Sequence, residues 1–318
     1  MPPFAKSARP VLFIGGKGRS GSTLMSRMLS GHPGVVSVGE LRFVAVRGWQ
    51  RNELCSCSLP FRECPFWREI GRAVAGRRPG DWYDEFAVLA SRVARMRHAP
   101  KVLLAACGRG RPTGDRAAYV AMLGELVDAI GAVSGAKVIL DSSKDPIHGL
   151  HLTMADTVSI YPVHLVRDCR GVAFSLQRRR IRPEVSGGEE LMPRADPRRT
   201  AIDWDLRNLL THVVGRSAGR YRRILYEEMV SDPQGACGQL LDWAGLDPAE
   251  TAESTASEHE VSGNPMRFDP TLAIKPDLEW VRSMDSSSYL VSTALGTPLL
   301  SYYGYPLSRS AVAAKLDA

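Results

Sequence analysis

A segment rich in glycine and serine, residues 15–23, separates a short apolar run from an amphipathic stretch near the start of the chain. The apolar run at 11–14 predicts a buried strand, and residues 24–29 predict an amphipathic helix. Glycines let a backbone approach an anion closely, and the free N–H groups at the start of a helix point towards it. A strand, a glycine-rich turn and a helix in this order therefore predict a phosphate-binding cradle.

This cradle matches the Walker A pattern, G-x-x-x-x-G-K-[ST], except at one position. Aligning Gly16 and Gly21 with the two glycines of the pattern puts Ser22 in place of the lysine, and the nearest cation is Arg19. A nucleoside triphosphatase needs the lysine on its β- and γ-phosphates, whereas a nucleotide with one 5′-phosphate and a sulfonate can use the earlier cation. The alternative is an ordinary glycine-rich turn of a doubly wound α/β fold.

Predicted strands alternate with predicted helices along the rest of the chain. Further strands are expected at 35–38, 137–140, 160–166 and 221–226, and helices at 82–98, 117–134, 198–219, 234–244 and 286–302. The alternation predicts an α/β fold of the P-loop-like, three-layer α/β/α kind with a central parallel sheet. No internal repeat or linker is evident, so we expect a single domain over 1–318, with its core at about 10–270 and C-terminal helices after it.

Polar residues follow several of these strands, where open α/β sheets bind their ligands. Glu40 comes directly after the second strand, Lys144 lies beyond the third, and Arg167 ends the fourth with Ser175 in the helix behind it. Asp141 resembles the acid of a Walker B strand, but the loop that should accompany it is not a Walker A, so a Mg²⁺ role has little support. For each residue the alternative is a solvated side chain in a loop.

Two irregular segments fall outside the alternation. Cys55, Cys57 and Cys64 lie in one of them. Their C-x-C…C spacing is not a standard zinc pattern and lacks a convincing fourth ligand, so we expect a loop packed by its Phe and Trp. The other segment, 180–197, mixes proline and glycine with charges and predicts a mobile loop, with a lid as one interpretation.

Composition and charge restrict the class of protein. The 318 residues are 44% hydrophobic and 24% charged, as in ordinary globular proteins, and the formal net charge of +7 suits an anionic ligand. The arginine clusters at 178–180 and 198–199 are not interleaved with aromatic residues, which argues against nucleic acid. Residues 1–10 lack the apolar core of a signal peptide and no apolar stretch approaches transmembrane length, so we expect a cytoplasmic protein with reduced cysteines.

Four separated segments resemble, in order, the sulfotransferases that use PAPS (3′-phosphoadenosine 5′-phosphosulfate), especially their bacterial branch and the tyrosylprotein sulfotransferases. These segments are 18–24, 38–40, 166–175 and 225–233. The resemblance covers roughly residues 10–270. It implies a PAPS-dependent sulfotransferase that moves a sulfonate group to an acceptor hydroxyl and releases PAP, and it implies no requirement for a metal.

The resemblance also implies roles for individual residues. Glu40 would be the general base, with Arg19 and Lys144 stabilising charge around the sulfonate. The residues implied to bind the nucleotide are Gly18, Arg19, Ser20, Gly21, Ser22, Thr23 and Leu24 at the 5′-phosphosulfate, Arg167, Ser175 and, by a looser match, Arg267 at the 3′-phosphate, and Tyr226 beside the nucleotide.

Other expectations concern the base, the partners and the alternatives. Cytosolic members of the family use a histidine base, which has no counterpart here. Glu40 is therefore the only residue implied as the base, and His148 and His151 are expected to be structural. The implied partner is a small-molecule or peptide hydroxyl acceptor, with no nucleic acid and no membrane, and a homodimer is left open. The alternatives are a P-loop kinase or hydrolase using Mg²⁺ at Asp141, and a non-catalytic PAP-binding protein.

Overall fold

The computed structural model of the chain is built around a five-stranded parallel sheet. It describes residues 8–74, 76, 78–107, 111–178, 181–182, 190–191, 194–250, 259–269 and 274–317. The strands are β1 (Arg9–Gly15), β2 (Val35–Gly39), β3 (Val138–Lys144), β4 (Val158–Val166), β5 (Ile181–Arg182), β6 (Glu190–Leu191) and β7 (Arg222–Leu225). The sheet has the order β2-β3-β1-β4-β7, and β5 pairs with β6 as a separate antiparallel ladder.

Helices connect and cover these strands. They are α1 (Ser22–Leu29), α2 (Pro65–Ala73), α3 (Pro79–Val93), α4 (Ala99–Cys107), α5 (Gly114–Ser134), α6 (Pro146–Leu152), α7 (Cys169–Gln177), α8 (Pro197–Ala218), α9 (Tyr226–Ser231), α10 (Pro233–Trp243), α11 (Glu279–Ser283), α12 (Ser286–Tyr302) and α13 (Arg309–Asp317). Short 3₁₀ turns lie at Leu41–Phe43, Met96–His98 and Pro265–Phe268, and a π-helical segment spans Val44–Gln50.

The central strand β1 is apolar on both faces because both faces are covered. Val11 and Phe13 pack with residues of α5 and α6, whereas Leu12 and Ile14 pack with residues of α1 and α10. All four side chains are fully buried. The predicted three-layer α/β/α fold with a central parallel sheet is therefore confirmed.

The register of the strands brings their carboxyl ends together at one edge. Gly15 at the end of β1 is paired with Lys144 at the end of β3 and with His164 near the end of β4. Gly39 at the end of β2 is paired with Asp141 of β3. The segments that follow these four strands consequently emerge side by side, as the rule for ligand sites in open α/β sheets requires.

Several predicted boundaries differ from the structure. A single helix over 82–98 is wrong, because α3 begins at Pro79 and ends at Val93, and the extended backbone of Arg95 separates it from the next 3₁₀ turn. Proline favours the first turn of a helix, which accounts for the earlier start. The strand predicted to end at Tyr226 stops at Leu225, and Tyr226 begins α9.

Most of the segment 180–197, predicted as a mobile loop or lid, lies outside the described residues. Its described parts are the ladder β5–β6 and residues 194–197.

One helix corrects the expectation that no stretch approaches transmembrane length. By length and composition α5 could cross a membrane. However, 56% of its apolar window is buried inside the protein, where it packs against α2, α3 and β3. Core helices of globular domains pass the same test.

Candidate active site

A cavity of about 390 Å³ opens at the carboxyl edge of the sheet. The loop after β1 forms one wall, the ends of β2, β3 and β4 contribute further side chains, and late segments of the chain close the remainder. Basic side chains outnumber acidic ones among its lining residues: Lys17, Arg19, Arg47, Lys144, Arg167 and Lys275 stand against Glu40 and Asp277. Such a lining favours an anionic ligand.

The loop after β1 is wound in a way that requires glycine at two positions. Gly16 has φ 123°, and a Cβ there would lie 2.5 Å from the carbonyl oxygen of Leu165. Gly21, the residue before α1, has φ 92°, and a Cβ there would lie 2.6 Å from the ring of Tyr226. The tight winding and the close aromatic contact turn the start of α1 towards the cavity, where its free N–H groups can face an anion.

Glu40 and Lys144 form an ion pair on the cavity wall. The Lys144 ammonium donates to Oε1 of Glu40 at 2.8 Å and to the carbonyl oxygen of Ser142 at 2.7 Å. The side chains are 14% and 12% exposed, so both groups remain accessible from the cavity. Lys144 adopts a left-handed backbone with φ 58°, which is uncommon for a non-glycine residue and often accompanies function.

The position of Glu40 depends on a segment far along the chain. The backbone N–H of Glu40 donates to the carbonyl oxygen of Val261 at 2.8 Å, and Gly39 forms a parallel bridge with Val261. A Cβ on Gly39 would lie 2.6 Å from that same oxygen. Only glycine at 39 therefore lets the two backbones approach closely enough to fix Glu40.

Arg167 joins three parts of the opposite wall. Its guanidinium donates to the carbonyl oxygen of Arg19 at 3.1 Å and to the carbonyl oxygen of Asp277 at 3.0 Å, and it pairs with the Asp277 carboxylate at 3.0 Å. It also lies 4.6 Å from the centre of the Tyr226 ring. Burial raises the pKa of the Tyr226 hydroxyl, against the opposing effect of the Arg167 charge, so this ring stays neutral. The Nε atom of Arg167 has no hydrogen-bond partner among the described residues.

Most of the residues singled out from the sequence line this cavity. Those that do are Gly18, Arg19, Gly21, Ser22, Thr23, Leu24, Glu40, Lys144, Arg167, Ser175 and Tyr226. Ser20 and Arg267 are not among the lining residues. Ser20 is buried, and the Arg267 guanidinium lies behind the wall, where Nη2 donates to the carbonyl oxygen of Leu54 at 3.0 Å.

The structure adds cavity residues that the sequence analysis missed. Lys17 forms an ion pair with Asp203, whose carboxylate is also bound by Arg207 at 3.0 Å. Burial acts to raise the pKa of Asp203, but the charges of Arg207 and Lys17 outweigh it and lower that pKa. Arg47 donates to the Ser262 hydroxyl at 2.5 Å. Of these residues, only Lys17 could have been identified from the sequence, because it lies within the glycine-rich segment.

The residues behind Lys144 are structural. Asp141 is fully buried, and its carboxylate accepts from the Ser143 backbone at 2.9 Å and pairs with Nε2 of His148 at 2.7 Å. Asp145 caps α6 by accepting from the N–H groups of Ile147 and His148. Asp141 is not among the cavity lining. Its surroundings therefore give no support to a Mg²⁺ role in phosphate chemistry.

The cysteine loop differs from the expectation in one respect. A fourth potential ligand for Cys55, Cys57 and Cys64 exists, and it is His259. The spacing of the cysteines could not reveal it, because the histidine lies 195 residues beyond Cys64. The fold brings the two together by placing Val261 beside Gly39.

Comparisons with known proteins give one family and several solved structures. Residues 10–250 match the model of a family described as the sulfotransferase family. No curated protein sequence gives a significant match to the chain. Sulfotransferase STF9 from Mycobacterium avium shares 14% identity over 95% of this chain and 79% of its own, with a TM-score of 0.48.

Two further solved structures are similar at the same level. The sulfotransferase domain from the Synechococcus PCC 7002 olefin synthase shares 18% identity over 97% of this chain and 99% of its own, with a TM-score of 0.42. A sulfotransferase from Alicyclobacillus acidocaldarius shares 16% identity over 94% of this chain and 98% of its own, with a TM-score of 0.43.

Proposed function

This chain belongs to the sulfotransferase family, and on that premise we propose that it transfers a sulfonate group from PAPS to the hydroxyl of an acceptor, with PAP as the second product. One observation carries the proposal. The ion pair of Glu40 with Lys144 and the glycine-rich loop around Arg19 share the walls of a single basic cavity. A candidate base, a candidate cation and a phosphate cradle thus face one space.

The donor would lie across the cavity between two anion-binding ends. The loop 18–23 and the start of α1 offer backbone N–H groups and hydroxyls to the 5′-phosphosulfate. Arg167 and Ser175 line the other end, where the 3′-phosphate would lie. The Nε atom of Arg167 is a buried donor without a partner among the described residues, and such donors are costly unless a ligand or water satisfies them.

In the proposed reaction the acceptor oxygen forms a bond to sulfur while the bond from sulfur to the bridging oxygen of the donor breaks. The proton of the acceptor hydroxyl passes to the Glu40 carboxylate, and PAP leaves with the bonding electrons. Lys144 would turn from Glu40 to the bridging oxygen, because a cation stabilises the charge that builds there. Before it turns, its hydrogen bond to Oε1 of Glu40, at 2.8 Å, holds that carboxylate at the cavity wall.

Binding and transfer measurements test this function together. Calorimetry with PAP, AMP and ATP, each with and without Mg²⁺, should show that PAP binds more tightly than AMP and that its binding does not depend on Mg²⁺. A panel of phenols, alcohols, sugars and tyrosine peptides incubated with labelled PAPS should then yield a sulfonated product. Mg²⁺-dependent ATP turnover would indicate a kinase or hydrolase instead. Tight PAP binding without transfer to any acceptor would indicate a binding protein.

A further inference from the structure

We propose that Cys55, Cys57, Cys64 and His259 together bind one zinc ion, at a site separate from the cavity described above. The four side chains come from two segments far apart in the sequence and meet at one place in the fold. None of the four lines the cavity. The proposal concerns metal binding alone and stands independently of the proposed transfer reaction.

The distances among the four ligand atoms fit a tetrahedral ion. All four lie within 4.8 Å of one another. The Sγ atoms of Cys57 and Cys64 are 3.6 Å apart, and Nδ1 of His259 lies 3.3 Å from Sγ of Cys64 and 3.8 Å from Sγ of Cys55. Zinc–ligand bonds of about 2.3 Å to sulfur and about 2.0 Å to nitrogen require about 3.8 Å between two sulfurs and about 3.5 Å between sulfur and nitrogen.

The chemistry of the donor set selects zinc. Thiolates favour soft or borderline ions, which excludes Mg²⁺ and Ca²⁺, and three cysteines with one histidine form a known structural zinc set. Cys55 and Cys64 are 1% and 0% exposed. With four protein ligands in place, no coordination position remains open for water, so the ion would be structural.

The local backbone already holds the three cysteines in position. The N–H of Cys55 donates to the carbonyl oxygen of Leu59 at 2.9 Å, and the N–H of Ser58 donates to the carbonyl oxygen of Cys55 at 2.9 Å, which closes a tight turn around Cys57. Ser58 takes a left-handed φ of 67° in this turn. Cys64 follows as the residue that precedes the first turn of α2.

The histidine is oriented by two aromatic residues of α2. Its ring stacks on Phe66 with the centroids 4.6 Å apart and an angle of 10° between the planes. The indole N–H of Trp67 donates to the carbonyl oxygen of His259 at 2.8 Å. The stacking restrains the plane of the imidazole ring, and the hydrogen bond restrains the backbone of His259, so that Nδ1 lies beside the sulfurs.

A disulfide is the competing explanation for clustered cysteines. One disulfide would use two of the three thiols and leave the third beside His259. The sulfurs of Cys57 and Cys64 are 3.6 Å apart, well beyond the bond length of about 2.05 Å. One ion accounts for all four side chains, whereas one disulfide accounts for two.

The ion would cross-link the segment 53–64 to the segment 259–262. Two hydrogen bonds also join these segments. The Ser56 N–H donates to the carbonyl oxygen of Glu260 at 3.2 Å, and the Glu260 N–H donates to the Ser56 hydroxyl at 2.8 Å. The second segment also positions Glu40 through Val261. Loss of the metal should therefore loosen one wall of the cavity.

Metal analysis of the untagged protein tests the site directly. Protein purified with reductant and without chelator should contain about one zinc per chain by inductively coupled plasma mass spectrometry. The variants Cys64→Ser and His259→Ala should lose most of it. Cys237→Ser is the matched control, because Cys237 is a half-buried free cysteine of α10 outside the cluster, and this variant should keep its zinc.

A second measurement covers variants that fail to fold. In the wild-type protein, alkylation mapped by mass spectrometry should spare Cys55, Cys57 and Cys64 until a chelator is added, and replacement by Co²⁺ should give the visible absorption of a tetrahedral thiolate complex. Wild-type protein that holds neither zinc nor Co²⁺ would overturn the proposal. So would full zinc content in both ligand variants, or a Cys57–Cys64 disulfide in protein purified under reducing conditions.

Discussion

Lys144 and Glu40, 104 positions apart in the sequence, meet with Nζ and Oε1 at 2.8 Å. The contact exists because β2 and β3 are neighbours whose carboxyl ends meet at the same edge of the sheet. A carboxylate paired with an ammonium at a basic cavity can serve as a base, and the ammonium can then move to a leaving group.

Replacing Glu40 with Gln should lower kcat by about 10²–10⁴-fold, the usual contribution of a general base. PAP affinity should stay the same or rise, because Lys144 loses its carboxylate partner. Steady-state assays with PAPS and calorimetry with PAP measure the two effects. Glu69→Gln, an exposed residue of α2, is the matched control and should leave both unchanged. A near wild-type rate in the Glu40 variant would mean that another group removes the proton.

Replacing Gly21 with Ala should weaken PAP binding and lower the free energy of unfolding. The residue has φ 92°, and the added methyl group would meet the Tyr226 ring at 2.6 Å. Strain of this kind costs about 1–3 kcal/mol. Urea unfolding and PAP titration measure both losses.

A second glycine gives the control for that substitution. Gly238 lies within α10, and a Cβ there meets Pro248 only at an ordinary 3.7 Å. Gly238→Ala should therefore be neutral or slightly stabilising. Equal effects of the two alanines would show that the winding of the loop is not strained at Gly21.

Replacing Arg167 with Lys should weaken PAP more than AMP, which lacks the 3′-phosphate. A charge-assisted hydrogen bond contributes about 1.5–3 kcal/mol, so PAP affinity should fall by about 10- to 100-fold. A smaller loss for AMP is expected, since Arg167 also holds the carbonyl of Arg19. Arg198→Lys, at an exposed position of α8, should change neither affinity. Equal losses for the two nucleotides would place the 3′-phosphate elsewhere.

Acid should destabilise the fold through His164. The ring is buried, its Nδ1 accepts from the Tyr221 hydroxyl at 2.6 Å, and its Nε2 donates to Asn208 at 2.7 Å. Burial lowers the pKa of His164 to about 3, from an ordinary value of 6.5. The unfolded chain therefore binds the proton more readily, and stability present above pH 6.5 is lost as the pH falls towards 3.

Urea unfolding at pH 7 and pH 4.5 measures this loss. His164 alone should contribute on the order of 2–3 kcal/mol to it, from 1.36 kcal/mol per pKa unit. His164→Gln should be less stable at pH 7 but should show a smaller change between the two pH values. If the free energy of unfolding of the His164→Gln variant depended on pH as steeply as that of the wild type, the loss of stability in acid would come from other groups.

The residues singled out from the sequence come together in the cavity where they follow or end a strand. Arg19, Glu40, Lys144 and Arg167 each adjoin one of four adjacent parallel strands, and parallel strands deliver such residues to one edge. The sulfotransferase resemblance is confirmed at the level of the family. The closer likeness to the tyrosylprotein branch, the single domain and the roles of the site residues stay predictions.

Residues that reach the site from irregular segments could not be predicted. Nothing in the sequence pattern singles out Arg47, Lys275 or Asp277, and only the folded chain shows that they line the same cavity. His259 was missed for the same reason, since it lies 195 residues from Cys64 and 204 residues from Cys55. Spacing within a motif carries information about local ligands and none about distant ones.

Under the proposed function, the hydrogen bond from the Glu40 N–H to the carbonyl oxygen of Val261 would have a kinetic consequence. Gly263 and Asn264, two and three residues after Val261, line the cavity. A donor nucleotide resting on those two residues would steady the backbone to which the carboxylate of Glu40 is tethered. The acceptor would then find its base in place only after the donor had bound, so we expect a compulsory order of addition, with the nucleotide first on and last off.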